Sequence, residues 1–279
     1  MNKKGITQRE LRGFADMLAS EERSSHTREK YLRDVRSFAL FLGRRELTRE
    51  QVQSYKRHLL DAGYAVNSVN SMLASLNRLL RFLGREDCLV RSIRSQRPAY
   101  CSEAKELTRE EYLRLLEAAK QKPRLRLLLE TLGGTGIRIS ELQYFTVEAV
   151  RNREVEVCAK AKYRRILLPG KLQKQLLAYA KRQGIRSGVI FRTRSGRPLD
   201  RSNVWAEMKA LCEAARVEPG KVFPHNFRKL FARSFYALDK DIAKLADLLG
   251  HSSINTTRIY IVSSGAEHRR LLDKMKLVI

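Results

Sequence analysis

The sequence predicts a mainly α-helical protein with a small β-sheet: a helical domain over residues 1–90, a basic linker over 91–106 and an α+β domain over 107–279. Three observations carry that expectation. Up to about residue 90, apolar residues recur every three or four positions, the mark of amphipathic helices. That periodicity lapses over VRSIRSQRPAYCSEAKE, beyond which helical stretches are interrupted by short runs suited to strands. The length, 279 residues, also suits two domains of ordinary size, each with its own core.

Each element follows from local chemistry. In HTREKYLRDVRSFALFLG, Tyr31, Val35, Phe38 and Leu42 form one stripe, while Arg28, Arg33 and Arg36 take other faces. LTREQVQSYKRHLLDAG opens with Thr48 and Gln51 as a capping box and stops at Gly63. NSVNSMLASLNRLLRFLG sets Val69, Met72, Leu73, Leu76, Leu80 and Leu83 at helical spacing ahead of Gly84. The first domain is therefore expected to be a bundle of about four helices. The linker, with Arg91, Arg94, Arg97 and Pro98, is either a solvated loop or a strap that follows a phosphate backbone. Thr108 and Glu111 make a second capping box at LTREEYLRLLEAA. EVEVCAKAKYRRILLP reads as two strands, Glu154–Cys158 and Arg165–Leu168, joined by the basic turn KAKYR. GVIF, 188–191, suits a further strand before the turn RSGRP, and helices resume near Ser202. Behind SSG, 263–265, Leu271, Leu272, Met275 and Ile279 lie at the spacing of a short amphipathic tail helix.

Charge is the strongest bulk signal. Lys and Arg number 56 against 30 acidic residues, a formal net charge of +26 at pH 7. The excess is spread: 20 basic against 11 acidic side chains up to residue 100, and 36 against 19 beyond it. Such a balance favours a polyanion shared by both domains, as a long nucleic acid would be. No lipidation motif or basic amphipathic helix marks a membrane-surface protein, and no apolar run nears the ~18 residues of a membrane span. The start, MNKKGITQRELRGF, lacks the apolar core of a signal peptide, which points to the cytoplasm. Cys88, Cys101, Cys158 and Cys212 form no CxxC pair and have no histidine at metal-ligand spacing, so they read as reduced structural thiols.

Four stretches of the second half carry residues suited to phosphate chemistry. GTGIRISEL holds Arg138 after a glycine turn, at the expected start of a helix anchored by Ile137, Leu142 and Tyr144, where a guanidinium fork can address two phosphate oxygens. HNFR puts His225 and Arg228 three residues apart, on one side of a helix. His251 follows Gly250, a helix stop, and HSSINTTRIY ends in Tyr260. On one straight helix His251 and Tyr260 would lie about 2.5 turns apart, nearly on opposite sides, so a bend must intervene. Asn255, Thr256 and Thr257 are suited to capping a fresh helix there.

In this order and spacing, TGIRISEL, the turn lysine in AKAKYRR, HNFR and LLGHSSINTTRIY resemble the tyrosine recombinases of the phage-integrase superfamily, and most of all its short Xer-type members. The resemblance covers nearly the whole chain. It implies a core-binding domain followed by a catalytic domain, the two forming a clamp around DNA, with a site made of Arg138, Lys160, His225, Arg228, His251 and Tyr260. The family turn, commonly GKGxKxR, has Ala159 and Ala161 in place of its glycines here, which leaves Lys160 and Lys162 both open; counting back five residues from Arg165 gives Lys160. Where many members have histidine after the second arginine, this chain has Lys229, a position outside the six.

The implied activity is site-specific DNA recombination through a 3′-phosphotyrosyl intermediate and a Holliday junction, as in DNA integration and mobile-element movement. The implied partners are double-stranded recombination sites, bound by a homo-tetramer on two duplexes or a hetero-tetramer with a related recombinase. The tail helix either covers its own domain or docks on the neighbouring subunit. Little room remains at the start for the extra arm-binding domain of many phage integrases. The chemistry agrees. Tyr260 would be the nucleophile, and because phenols ionise near pH 10 its phenolate would also leave readily, conserving bond energy without ATP. No GxxxxGK[ST] loop is present, and two arginines would supply the charge that Mg²⁺ supplies elsewhere, so no cofactor and no metal are expected. The turn lysine would protonate the departing 5′ oxygen, with His225 assisting at the nucleophile. A type IB topoisomerase shares this chemistry but rejoins the same strand, and a non-catalytic DNA-binding regulator would leave Tyr260 merely packed.

Overall fold

The structure, a computed structural model, describes residues 5–94, 105–159, 162–193, 195–261 and 273–275. The chain divides into two compact units, Met1–Arg97 and Pro98–Ile279. In the first, amphipathic stripes fold into α1 (Gln8–Ser20), α2 (Ser25–Leu42), α3 (Arg49–Asp61) and α4 (Val66–Phe82), followed by a 3-10 turn, Glu86–Cys88. Phe14, Val35, Phe38, Leu42, Val52 and Leu73 are fully or almost fully buried in their common core. Of the stripe expected on α2, Tyr31 sits at the margin of that core and the other three are inside it. Thr48 caps α3, accepting from the Gln51 N–H at 3.3 Å. The reciprocal half of the expected box is missing: Gln51 Oε1 is buried without a partner among the described residues. Asp34 is a buried charge. Lys30 Nζ lies 2.7 Å from its carboxylate and the Ser75 hydroxyl donates to it at 2.8 Å, which ties α2 to α4.

The second unit contains α5 (Arg109–Ala118), α6 (Pro123–Thr135), a 3-10 helix (Ile139–Tyr144), α7 (Val147–Arg151), β1 (Glu154–Ala159), β2 (Lys162–Leu167) and α8 (Gly170–Arg182). It continues with α9 (Arg201–Lys209), α10 (Cys212–Ala215), α11 (Pro224–Leu238), α12 (Ile242–Leu249) and α13 (Ile254–Ile261). The expected mainly α architecture with a small sheet is what the chain adopts. Both halves of the Thr108–Glu111 capping box form. Leu128, Leu129 and Leu132 of α6 are buried at the centre of the main core, and Phe227 of α11 packs into it.

Two strand expectations need correction. The strands pair antiparallel from Glu154↔Leu167 to Ala159↔Lys162, so β2 begins three residues before the expected Arg165. KAKYR is not a five-residue turn; pairing through Tyr163 and Lys162 satisfies backbone groups that such a turn would leave open, and only residues 160 and 161 link the strands. The segment 188–191 is not a strand: it makes one antiparallel bridge, Thr146↔Val189. The ladder stops because Thr146 is already the N-cap of α7. Lys160 lies outside the described residues, as do 95–104 of the linker and 262–272 and 276–279, which hold most of the expected tail helix. Among the described residues no helix is long and apolar enough to cross a membrane, and Cys88, Cys158 and Cys212 are free thiols.

The turn after α6 fixes how that helix meets α11. Gly136 is left-handed, φ 62°, and a Cβ there would come within 2.4 Å of the Phe231 ring. Gly136→Ala is therefore expected to cost about 3 kcal/mol, from the left-handed backbone and the displaced ring together. Gly184, φ 65° with nothing within 4 Å of its Cβ position, is the control, and Gly184→Ala should cost only about 1 kcal/mol. Urea unfolding followed by the fluorescence of Trp205, the chain's single tryptophan, measures both; equal losses would refute the packing argument.

Candidate active site

Three helix ends converge on one buried cation. Arg228 is 2 % exposed on α11, one turn after Pro224 starts the helix. Its Nη1 donates to Gly136 O, at the end of α6, and its Nη2 to Leu249 O, at the end of α12, each at 2.5 Å. Carbonyls at helix C-termini carry partial negative charge and lack helical partners, so they can hold the two Nη ends of a guanidinium without a carboxylate. Nη2 also lies 2.9 Å from His251 Nε2. Nε is buried with no partner among the described residues. Burial above all, and then the charges of Arg138 and Arg164, push the Arg228 pKa down to about 10, against the pull of Tyr260 and Glu141, so it stays a cation at neutral pH.

Arg138 does not start an α-helix. It is the extended N-cap residue, φ −78° and ψ 147°, of a six-residue 3-10 helix. Glu141 holds it: the Arg138 N–H donates to Oε2 at 2.7 Å and Nη1 to Oε1 at 3.0 Å. Glu141, 2 % exposed, also receives Arg164 Nη2, and Arg164 Nη1 donates to Leu248 O at 2.6 Å. Gly250 accepts this crossing of β2 and α12, since its φ is 65° and a Cβ would meet Arg164 Cδ at 2.4 Å. Lys229, one residue beyond Arg228, approaches Glu106 at 4.0 Å instead.

The required bend between His251 and Tyr260 is the break between α12 and α13. Left-handed Gly250 ends α12, and the His251 N–H returns to Ala246 O at 2.9 Å. Ser253, not the expected Asn255–Thr257 run, caps the next helix, its Oγ accepting from the Asn255 N–H at 3.3 Å. Thr257 is one turn inside α13, fully buried, with Oγ1 2.9 Å from His251 Nδ1. Because a guanidinium only donates, His251 Nε2 is the acceptor from Arg228 and the ring proton sits on Nδ1. Burial, with Arg228, Arg138, Arg164 and His225, pushes the His251 pKa down to about 4. Burial also lowers that of His225, with help from Lys229, Arg228 and Arg138. Tyr260, 6 % exposed, rests on Ala232, Leu245 and Leu249. Its ring centroid is 5.1 Å from that of His225 and 5.3 Å from that of His251.

Five of the six residues expected from the sequence thus gather within one chain: Arg138, His225, Arg228, His251 and Tyr260. Arg138, His225 and Arg228 line a cleft of about 600 Å³ that continues past Arg201 to Trp205. The sixth, Lys160, is outside the described residues, and its rival Lys162 opens β2. Sequence reasoning missed Glu141, Arg164 and the contact of Thr257. Glu141 had a signal, three residues after Arg138 at capping-box spacing. Arg164 had none within its basic run. Two guanidiniums, two neutral imidazoles and a phenol can neutralise a phosphodiester and attack it. Among the described residues no three of His, Cys, Asp and Glu gather as metal ligands would.

Comparison with known proteins agrees in both units. Residues 105–267 match the phage integrase family, and residues 11–87 match the phage integrase N-terminal SAM-like domain. A tyrosine recombinase XerA from Thermococcus kodakarensis is 32% identical over 273 residues, 95% of this chain and 94% of that one. A tyrosine recombinase XerD from Haemophilus influenzae is 26% identical over 272 residues, 90% and 92% of the two chains. In fold, the chain resembles a lambda integrase tetramer bound to a Holliday junction, at TM-score 0.75 and 20% identity over 92% of this chain and 77% of that one. It also resembles a XerA recombinase crystal structure, at TM-score 0.53 and 24% identity over 98% and 100%.

The depressed histidines make stability depend on pH. Unfolded His251 takes up its proton near the ordinary value of 6.5, folded His251 only near 4. Between those values the unfolded state holds more protons, so stability should fall as pH falls through this window and change little from this source outside it. The urea midpoint reported by Trp205 should drop on acidification, and His251→Gln should flatten the slope by up to one proton. An unchanged slope in that variant would show that the ring is not held neutral.

Proposed function

The chain belongs to the phage integrase family and is a tyrosine recombinase of the Xer type, and on that premise we propose that Arg138, Lys160, His225, Arg228, His251 and Tyr260 form its active site. One observation carries the reading: Tyr260 is packed between the rings of His225 and His251, with His251 hydrogen-bonded to the buried Arg228, all in one chain. Each chain would then supply its own nucleophile.

The Tyr260 phenol gives up its proton with help from His225, and its oxygen attacks the scissile phosphorus. Arg138 and Arg228 neutralise the non-bridging oxygens, which gain charge as the pentacoordinate state forms. The bond to the 5′ oxygen breaks, that oxygen takes a proton from Lys160, and a 3′-phosphotyrosyl link remains. Attack by a 5′ hydroxyl from a second duplex reverses the steps and exchanges the strands. We further propose that four subunits act on two double-stranded sites through a Holliday junction, as copies of this chain or together with a related recombinase, in the cytoplasm. The spread of the +26 charge supports a DNA partner engaged by both units.

To find the site, the protein can be mixed with fragmented DNA of its host, denatured, and the covalently held ends sequenced. Tyr260→Phe should still shift the duplex so identified but yield no covalent adduct; a normal adduct would refute the assignment. On a nicked duplex of that sequence, Lys160→Ala should slow cleavage by about 10²- to 10⁴-fold. A sulfur in place of the bridging 5′ oxygen should restore most of that rate, since thiolates leave without a proton. If Lys162→Ala is the crippled and rescued variant, the general acid is Lys162.

A further inference from the structure

In the DNA-free site, His251 has no proton to offer a phosphate. Arg228 Nη2 has two protons, one given to Leu249 O and the other directed at His251 Nε2, so Nε2 presents a lone pair. A non-bridging phosphate oxygen between Arg138 and Arg228 also only accepts. The ring can contribute there only with a proton on Nε2. Becoming an imidazolium is costly, because burial, and then Arg228, Arg138, Arg164 and His225, already hold its pKa near 4. A change of tautomer costs no charge: the Nδ1 proton leaves to water and another arrives from water at Nε2.

The partner on Nδ1 decides whether that change is open. A backbone carbonyl or a carboxylate accepts only, and would pin the proton on Nδ1. A hydroxyl accepts and donates. Thr257 Oγ1, 2.9 Å from Nδ1 and wholly buried, can take the Nδ1 proton in one tautomer and give its own to bare Nδ1 in the other. It also sits on α13 three residues before Tyr260, so the ring keeps this partner only while the tyrosine helix is docked.

We propose that Thr257 is a positioning residue whose hydroxyl supports both tautomers of His251, so that the ring accepts from Arg228 in the free protein and donates to the scissile phosphate on DNA. The inference rests on the assignment of His251 and Tyr260 given above. Its test uses the full chain with 15N-labelled histidine, the His251 signals being identified by their loss in His251→Gln. The free protein should show protonated Nδ1 and bare Nε2. Tyr260→Phe bound to the nicked duplex should show the reverse, with the ring neutral. On the same duplex, Thr257→Val, which keeps shape and loses the hydroxyl, should cleave about 10- to 100-fold more slowly at unchanged DNA affinity. Thr257→Ser should recover most of the rate. An unchanged tautomer on DNA, an imidazolium there, a Thr257→Val variant as fast as the parent, or a Thr257→Ser variant as slow as Thr257→Val would each overturn the proposal. Adduct formation by the parent chain, absent in Tyr260→Phe, separates these outcomes from failure of the assignment itself.

Discussion

A guanidinium locked between two helix ends is the constraint on which the second unit depends. Burying a cation costs several kcal/mol unless its donors are met. Arg228 meets that cost with the last carbonyls of α6 and α12, which would otherwise lack partners themselves. The same contacts set the distance between the turn that carries Arg138 and the stop that carries His251. Two glycines make this possible, one yielding to the Phe231 ring and the other to the Arg164 side chain. Local backbone choices and the candidate site are therefore one arrangement.

The second consequence is electrostatic. Arg138, Arg164 and Arg228 share a neighbourhood in which Glu141 is the carboxylate that contacts two of them. Burial first, and the positive charge around them second, lower the pKa of both histidines and even of an arginine. On the proposed assignment, an entering phosphodiester would relieve that repulsion, as a preorganised anion site gains strength without rearrangement at the moment of reaction.

Much of this was legible in the residues themselves. The stripe of Val35, Phe38 and Leu42, the Thr108 cap and the need for a break after Gly250 follow from period, hydrogen-bonding capacity and helix geometry. The spacing His225–Arg228 already faced both side chains the same way. What escaped was long-range. Arg164 is one of several arginines in a basic run, and nothing near it in sequence says that it reaches the end of α12. Thr257 had the composition of a cap, while Ser253 stood one residue ahead of the helix and took that role. The segment 188–191 had strand composition, but its neighbour Thr146 was already committed to α7. In each case the deciding partner lay elsewhere in the fold, or another residue had claimed the position first.

The ring of Tyr260 belongs to a small apolar cluster, with Ala232, Leu245 and Leu249, apart from the main core. An eight-residue helix such as α13 has almost no stability of its own in water and holds its place by docking. Such an element opens at a fraction of the free energy needed to melt the domain. A helix held by docking can serve as a latch: it can be drawn aside and returned while the cradle of arginines stays assembled.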